Sequence, residues 1–216
     1  MNRLIAACVA LLALGGATLY RSTAHAAPKP PTGMERFLTS ITQDVDTYWT
    51  NTGLVQPHVA YHWIPAGQEV STGCGKMGQD AAAYCRADGT IYISETFATH
   101  MYAGGGDFAA AFVVAHEFGH AVQDELGLYD AYGDQLPTMA FELQADCYAG
   151  TWANSTYQQN RLDDGDVEEA INAALAVGDF DATNPEHHGT PEQRAGAWET
   201  GFQSGDPQAC SQYLST

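Results

Sequence analysis

Two histidines four residues apart, with a glutamate beside the first, form the pattern H-E-x-x-H at His116, Glu117 and His120. Positions four apart in a helix lie on one face, so both imidazoles can point at one spot. That spacing suits a zinc ion held by two nitrogens at roughly 2.0–2.1 Å. Glu117, one position round, is badly placed to bind the same ion but well placed to reach a water on it, as a general base does. The plainer alternative is two histidines packed in a core. Charge argues against it: between Ala87 and Asn160 there is no Lys or Arg, although the stretch is rich in carboxylates. Glu117 sits in an apolar run with no basic neighbour in sequence, and a buried carboxylate without a partner is costly. A bound dication would be that partner.

A second acidic pair points the same way. Glu142 and Asp146, in ELQAD, stand four apart and so stack on one helix face. A solvated acidic face would have polar company, but Phe141, Leu143, Ala145, Cys147, Tyr148 and Trp152 are not of that kind. Glu142 is the expected third zinc ligand. Three protein ligands leave the fourth position for water, the mark of a catalytic rather than a structural site. Asp146, one turn on, is expected to accept the free N–H of a zinc-bound histidine and so fix its ring.

These residues need rigid elements beneath them. Residues 108 to 115 are apolar throughout, which predicts a buried helix over Asp107–Leu126 with Asp107 as its cap and Gly127 as its end. Gly104, Gly105 and Gly106 read as a flexible loop hinging into it. Residues 130–136 read as a loop, and a helix opens at Pro137 or Thr138 to carry Glu142 and Asp146. Upstream, Phe37, Leu38, Ile41, Val45 and Tyr48 have helical spacing over Met34–Trp49. Val59–Ile64 and Thr90–Ser94 (TIYIS) read as strands, with His62 a packing residue. The segment between Cys74 and Cys85 reads as a loop rich in Gly, Ala and Asp. Downstream of a polar loop at 161–166, Asp166 caps a helix to Val177. The acids there lack the ligand ladder of a calcium loop. Thr190 and Pro191 then open another helix, and the tail forms a short helix pinned by Cys210.

The 216 residues are 45% hydrophobic and 11% aromatic, as a globular chain is. A formal charge of −18 argues against nucleic acid or anionic lipid as a partner. Arg3, the apolar run Leu4–Leu19 and the small-residue site Ala24-His25-Ala26 read as a secretory signal over 1–26. The alternative is an uncleaved membrane anchor. Residues 27–49 then form a linker and first helix, and 50–216 the main domain. Export places the chain in an oxidising compartment. Cys74, Cys85, Cys147 and Cys210 remain after signal removal and allow three pairings. Cys74–Cys85 is the local choice, leaving Cys147–Cys210.

With those residues in view, the chain resembles the bacterial neutral zinc metallopeptidase family. The matching pieces are VVAHEFGHAVQ at 113–123, ELQADCYAGTWA at 142–153, HGTPEQRAGAWETGF from His188, and GDPQAC near the end. The resemblance implies His116, His120 and Glu142 as zinc ligands and Glu117 as catalytic base. It implies a gluzincin-like arrangement with its third ligand on an E-x-x-x-D helix. The expected fold is α+β, mostly helical, with a small sheet and a central HExxH helix. The expected activity is zinc-dependent hydrolysis of peptide bonds in a peptide or protein substrate. A zinc hydrolase of a non-peptide amide or ester, or an exported non-catalytic zinc protein, are the alternatives. His188, Tyr148 and Arg194 are candidate donors to the oxyanion. A substrate strand is expected to add to the edge of TIYIS.

Overall fold

The computed structural model describes residues 33–215 apart from 57 and 186. The expected signal segment 1–26 lies outside those residues. The first helix runs Gly33–Thr52 (α1) and buries Leu38, Val45 and Trp49 on the stripe that the spacing predicts. Its Asp44 accepts the indole N–H of Trp152 at 2.9 Å, which ties α1 into the main core.

The two expected strands are β1 (Ala60–Ile64) and, later in the chain, the TIYIS strand Thr90–Ser94. Between them lies more order than a loop. A hairpin of β2 (Val70–Thr72) and β3 (Gly75–Met77) is followed by β4 (Ala82–Cys85), so that TIYIS is β5. Strands of only three or four residues are too short to show a clear alternation. The three-stranded sheet has the order β1-β5-β4, with β1 parallel and β4 antiparallel to β5. This corrects the expectation of an edge at TIYIS. β5 is paired on both sides and all five of its residues are buried. The outer strand on that side is β4.

Ser94 caps α2 (Glu95–Gly105), its hydroxyl accepting the Phe97 N–H at 3.0 Å. Gly104 and Gly105 therefore complete a helical turn instead of forming a flexible loop, and Gly106 alone joins α2 to α3 (Asp107–Glu125). Residues 108–119 of α3 are all buried. Asp107 is its first residue and not its cap. The Phe108 N–H goes instead to Glu169 Oε2 at 2.9 Å. A carboxylate from a neighbouring helix thus meets the positive end of the α3 dipole. Gly127 ends α3 in the left-handed conformation, as expected.

A short α4 (Leu128–Tyr132) occupies the start of the expected loop. Then come α5 (Thr138–Gln158), α6 (Asp166–Ala176), α7 (Pro191–Ser204) and a 3-10 helix over Pro207–Leu214. Asp166 is the first residue of α6, not its cap; its Oδ2 accepts the Asp163 N–H at 2.8 Å. Thr190 caps α7 with a reciprocal bond to Gln193, as the Thr-Pro signal predicts. The result is an α+β architecture, a helical body beside a small mixed sheet, with α3 packed against α1, α2, α5, α6 and β4.

α5 lies buried between α3 and α7. At Gly201 the α7 backbone rests on the Cys147 carbonyl, and any Cβ there would collide with it. Next to this contact Cys147 bonds to Cys210, and the second bridge joins Cys74 to Cys85. The Cys147–Cys210 link closes a separation of 63 residues. Replacing both of these cysteines by serine should lower unfolding stability by about 2–4 kcal/mol, read from urea denaturation. An unchanged midpoint would mean that packing alone holds the C-terminal helix.

Candidate metal centre

α3 and α5 cross at Gly119, the fourth residue of HEFGH. A Cβ there would sit 2.9 Å from the Ala145 Cα. This close approach is what brings the α5 carboxylates to the α3 histidines. His116 Nε2 lies 3.2 Å from Glu142 Oε2, and His120 Nε2 lies 3.2 Å from Glu142 Oε1. A tetrahedral ion with bonds of roughly 2.0–2.1 Å has neighbouring ligand atoms about 3.3 Å apart, so the spacing matches that of a zinc site. His116, His120 and Glu142 form a group able to hold a metal ion.

The other ring nitrogens decide which way the lone pairs face. His116 Nδ1 lies 2.8 Å from Asp146 Oδ1. A carboxylate can only accept, so Nδ1 carries a proton, and once Nε2 gives up its own the lone pair there faces the centre. His120 Nδ1 lies 2.9 Å from Gln123 Oε1. The orientation of that amide follows from its other end: Gln123 Nε2 donates to the Phe141 carbonyl at 2.7 Å and to Gln144 Oε1 at 3.0 Å. The Tyr129 hydroxyl donates to Gln123 Oε1 at 2.8 Å and stands 3.0 Å from His120 Nδ1. Both imidazoles are thereby held with Nε2 toward Glu142.

Arg194, from α7, grips Asp146 with two bonds: Nε to Oδ2 and Nη2 to Oδ1, both 2.8 Å. Its Nη1 donates to the Val177 carbonyl at 3.3 Å. Glu117 Oε2 accepts the backbone N–H of Tyr84, on β4, at 2.7 Å. Glu117, Glu142, Asp146 and Arg194 are all buried. Three carboxylates against one guanidinium leave two net negative charges when the imidazoles are neutral. A divalent cation would cancel them, so the donor set and the charge both fit zinc.

Protons are the competitor. Burial alone lowers the His116 and His120 pKa values, but Asp146 and Glu142 for the first, and Glu142 for the second, outweigh it and raise both. Burial would push Glu142 up, yet His120 and His116 hold it well below the usual carboxylate range. Asp146 is likewise lowered against burial, first by Arg194 and then by His116.

Beside the three converging groups opens a cleft of about 450 Å³. Phe97, Phe112, Val113 and Val177 give it an apolar wall, and Ala82–Tyr84 of β4 another side. Arg86 lies at the Tyr129 end, its guanidinium 4.4 Å over that ring. His188 stands at the cleft, exposed, with its backbone N–H on Asp179 Oδ2 at 3.0 Å. Tyr148 does not reach it, for its ring packs edge-on against Trp49 at 5.1 Å.

The sequence reading placed His116, Glu117, His120, Glu142 and Asp146, and the fold brings all five together. It missed Gln123, Tyr129 and Tyr84, and left the part played by Arg194 open. Gln123 had a signal, since it stands three residues after His120 on the same helix. Arg194 had one too, as the only Lys or Arg after Arg161 in an acid-rich chain. Tyr129 and the Tyr84 N–H arrive through tertiary structure and left no local trace.

A family model described as "Putative neutral zinc metallopeptidase" matches residues 11–213. "Uncharacterized protein YpfJ" of Escherichia coli strain K12 is 42% identical over 166 residues, covering 66% of this chain and 58% of its own length. "Uncharacterized protein Rv2575" of Mycobacterium tuberculosis strain H37Rv is 38% identical over 200 residues, covering 78% of this chain and 67% of its own. The chain thus spans little more than half the length of the Escherichia coli relative. No solved structure matches it.

Against burial, Asp146 and Glu142 bring His116 up to about 10, so the metal-free centre holds a proton on that imidazole at neutral pH, and Glu142 raises His120 in the same direction. Zinc must displace such protons, so affinity should fall as pH drops, and uptake at pH 7 should release protons. Titration calorimetry in buffers of different ionisation enthalpy measures that release. A buffer-independent heat would show the imidazoles already neutral.

Proposed function

Because the chain belongs to the neutral zinc metallopeptidase family, we propose that it hydrolyses peptide bonds with a zinc ion held by His116, His120 and Glu142. The observation that carries this reading is the convergence of both Nε2 atoms on the Glu142 carboxylate, with Glu117 one position along α3 and the cleft beside them. Zinc, when bound, supplies Lewis acidity that brings a water's pKa to near 7 and polarises the carbonyl.

The remaining work falls to the chain's own residues. Glu117 takes the proton of the attacking water and passes it to the leaving amine. With Oε2 held by the Tyr84 N–H, Oε1 is the atom that carries this proton. Asp146 and Gln123 keep the imidazoles oriented. Arg194 is committed to Asp146 and to the Val177 carbonyl, and Tyr148 faces α1, which leaves His188 as the donor to the developing oxyanion. An extended substrate would pair along β4 and not along β5. Ala81 points its carbonyl to Ser94 of β5, so by alternation Ala82 presents its backbone groups to the open side and Tyr84 its carbonyl, the Tyr84 N–H being held by Glu117. The apolar wall would take a substrate side chain.

Domain limits of 1–26 for a signal, 27–49 for a linker and first helix, and 50–216 for the peptidase domain remain our proposal. Two disulfides support an oxidising compartment. Among the described residues no helix is long and apolar enough to cross a membrane.

Two substitutions separate the roles. Glu117→Gln should keep about one zinc per chain while peptide cleavage slows by about 10²–10⁴-fold. Glu142→Ala should lose the metal and, with it, the stability that binding confers. Elemental analysis and a protein digest with and without chelator, read by mass spectrometry, measure both. Near-full activity in Glu117→Gln would remove Glu117 as the base. His188→Ala should keep the zinc and lower kcat by about 10²–10³-fold, the range for loss of an oxyanion donor; unchanged kcat would assign that task elsewhere.

A further inference from the structure

β4 and the turn after it touch the centre once each, on either side of a cysteine. The backbone N–H of Tyr84 holds Glu117 Oε2 at 2.7 Å, and the Tyr84 hydroxyl bonds Asp124 of α3 at 3.0 Å. Arg86 bonds the same Asp124 at 2.8 Å and lies over the ring of Tyr129, whose hydroxyl stands 3.0 Å from His120 Nδ1. Side chains alternate along a strand, so Tyr84 faces α3 and Cys85 faces away; Arg86, in the turn that follows, comes back to Asp124 of α3. Cys85 is fully buried there, in a small cluster with Ile64 and Tyr92, and is bonded to Cys74 in the turn of the β2–β3 hairpin. β4 itself is four residues long and pairs with β5 on one side only.

Resting on the metallopeptidase reading above, we propose that the Cys74–Cys85 bridge is a positioning clamp for the centre. It fixes β4 from behind, so that Tyr84 sets the base Glu117 and Arg86, through Tyr129, sets His120. Its removal loosens the centre more than it loosens the fold. Cleavage then depends on the redox state of this one bridge. The other bridge, Cys147–Cys210, has both cysteines fully buried in the main core. Cys74 is exposed, so a reductant can reach its sulfur. A phosphine attacks Cys74 Sγ, the S–S bond breaks, and Cys85 leaves as thiolate and takes a proton from water. Water then frees the Cys74 thiol and the phosphine departs as its oxide, having supplied both electrons.

The test uses the zinc-loaded protein and the variant with Cys147 and Cys210 both changed to serine, in which the phosphine can act on one bridge only. Reduction, checked by counting two new thiols, should lower kcat for peptide cleavage by about 10–100-fold, the scale of a misplacement near 1 Å. KM should move by less. Transfer of zinc to a chromogenic chelator should speed up, and reoxidation should restore both values. The Cys74→Ser, Cys85→Ser double variant should sit at the low plateau and ignore the phosphine. Full kcat and an unchanged transfer rate in the reduced protein would overturn the proposal, as would a change in KM alone. Loss of activity accompanied by loss of the thermal melting transition would also overturn it, since the bridge would then hold the fold and not the site. The zinc-transfer measurement needs no hydrolysis. If the oxidised protein cleaves no peptide, the peptidase reading fails while the clamp is still read.

Discussion

Three carboxylates and one guanidinium are buried where α3 meets α5, and their charges do not cancel. Unpaired charge in such a place is among the most expensive features a fold can carry. Everything near the centre is arranged to make it tolerable. Asp146 is matched by Arg194, Glu142 by two imidazoles, and Glu117 by a backbone N–H. What remains is a double negative charge facing three ligand atoms, and a divalent ion is the group that suits it. In the metal-free chain the raised histidine pKa values are the same imbalance expressed in protons.

The elements that meet this demand come from all along the chain. α3 supplies both histidines and the glutamate between them, and α5 supplies Glu142 and Asp146. β4 holds Glu117, and α7 delivers Arg194. Gly119 lets the first two helices approach, and Gly201 lets α7 lie against α5. These glycines set the distance between elements, and the polar groups set the direction of each ring. A centre assembled from four elements needs each of them fixed, and both disulfides belong to this task. One ties the C-terminal helix to α5; the other stands behind β4.

The candidate centre was more legible in the sequence than the fold around it, for a physical reason. Ligands at i and i+4 on one helix are a local fact, visible as H-E-x-x-H and E-x-x-x-D. A buried acid surplus is visible as a stretch without Lys or Arg. The long helices α1, α3 and α5 could be read from periodicity and from uniform apolarity. Strands β2, β3 and β4 could not, because three or four residues are too few to show an alternation until a sheet and a disulfide surround them. The same limit hid the true edge of the sheet. TIYIS is the strongest strand signal because it is the most buried strand, and for that reason it is the one with no free edge. Both ends of α3 were readable, at Asp107 and at Gly127, but the group that meets its first turn was not. Its N-terminus is met by Glu169, which is 61 residues away and reaches it only in the folded chain.

The two histidines are served unequally. His116 leans on a full carboxylate whose charge Arg194 neutralises, whereas His120 leans on the neutral amide of Gln123 and on Tyr129. A carboxylate acceptor makes a ring a stronger donor to a metal than an amide does. Two charged acceptors would have added a further buried acid to a centre that already has three, and Arg86, over the Tyr129 ring, is already paired with Asp124 and Asp130. The amide therefore orients His120 without adding charge, at some loss of donor strength. Its own orientation is fixed by the Phe141 carbonyl and Gln144, which are also on α5. The weaker support of His120 is thus built from the helix that carries Glu142. A shift of α5 would disturb the third ligand and the second histidine together, so α3 and α5 hold or release the centre as one unit.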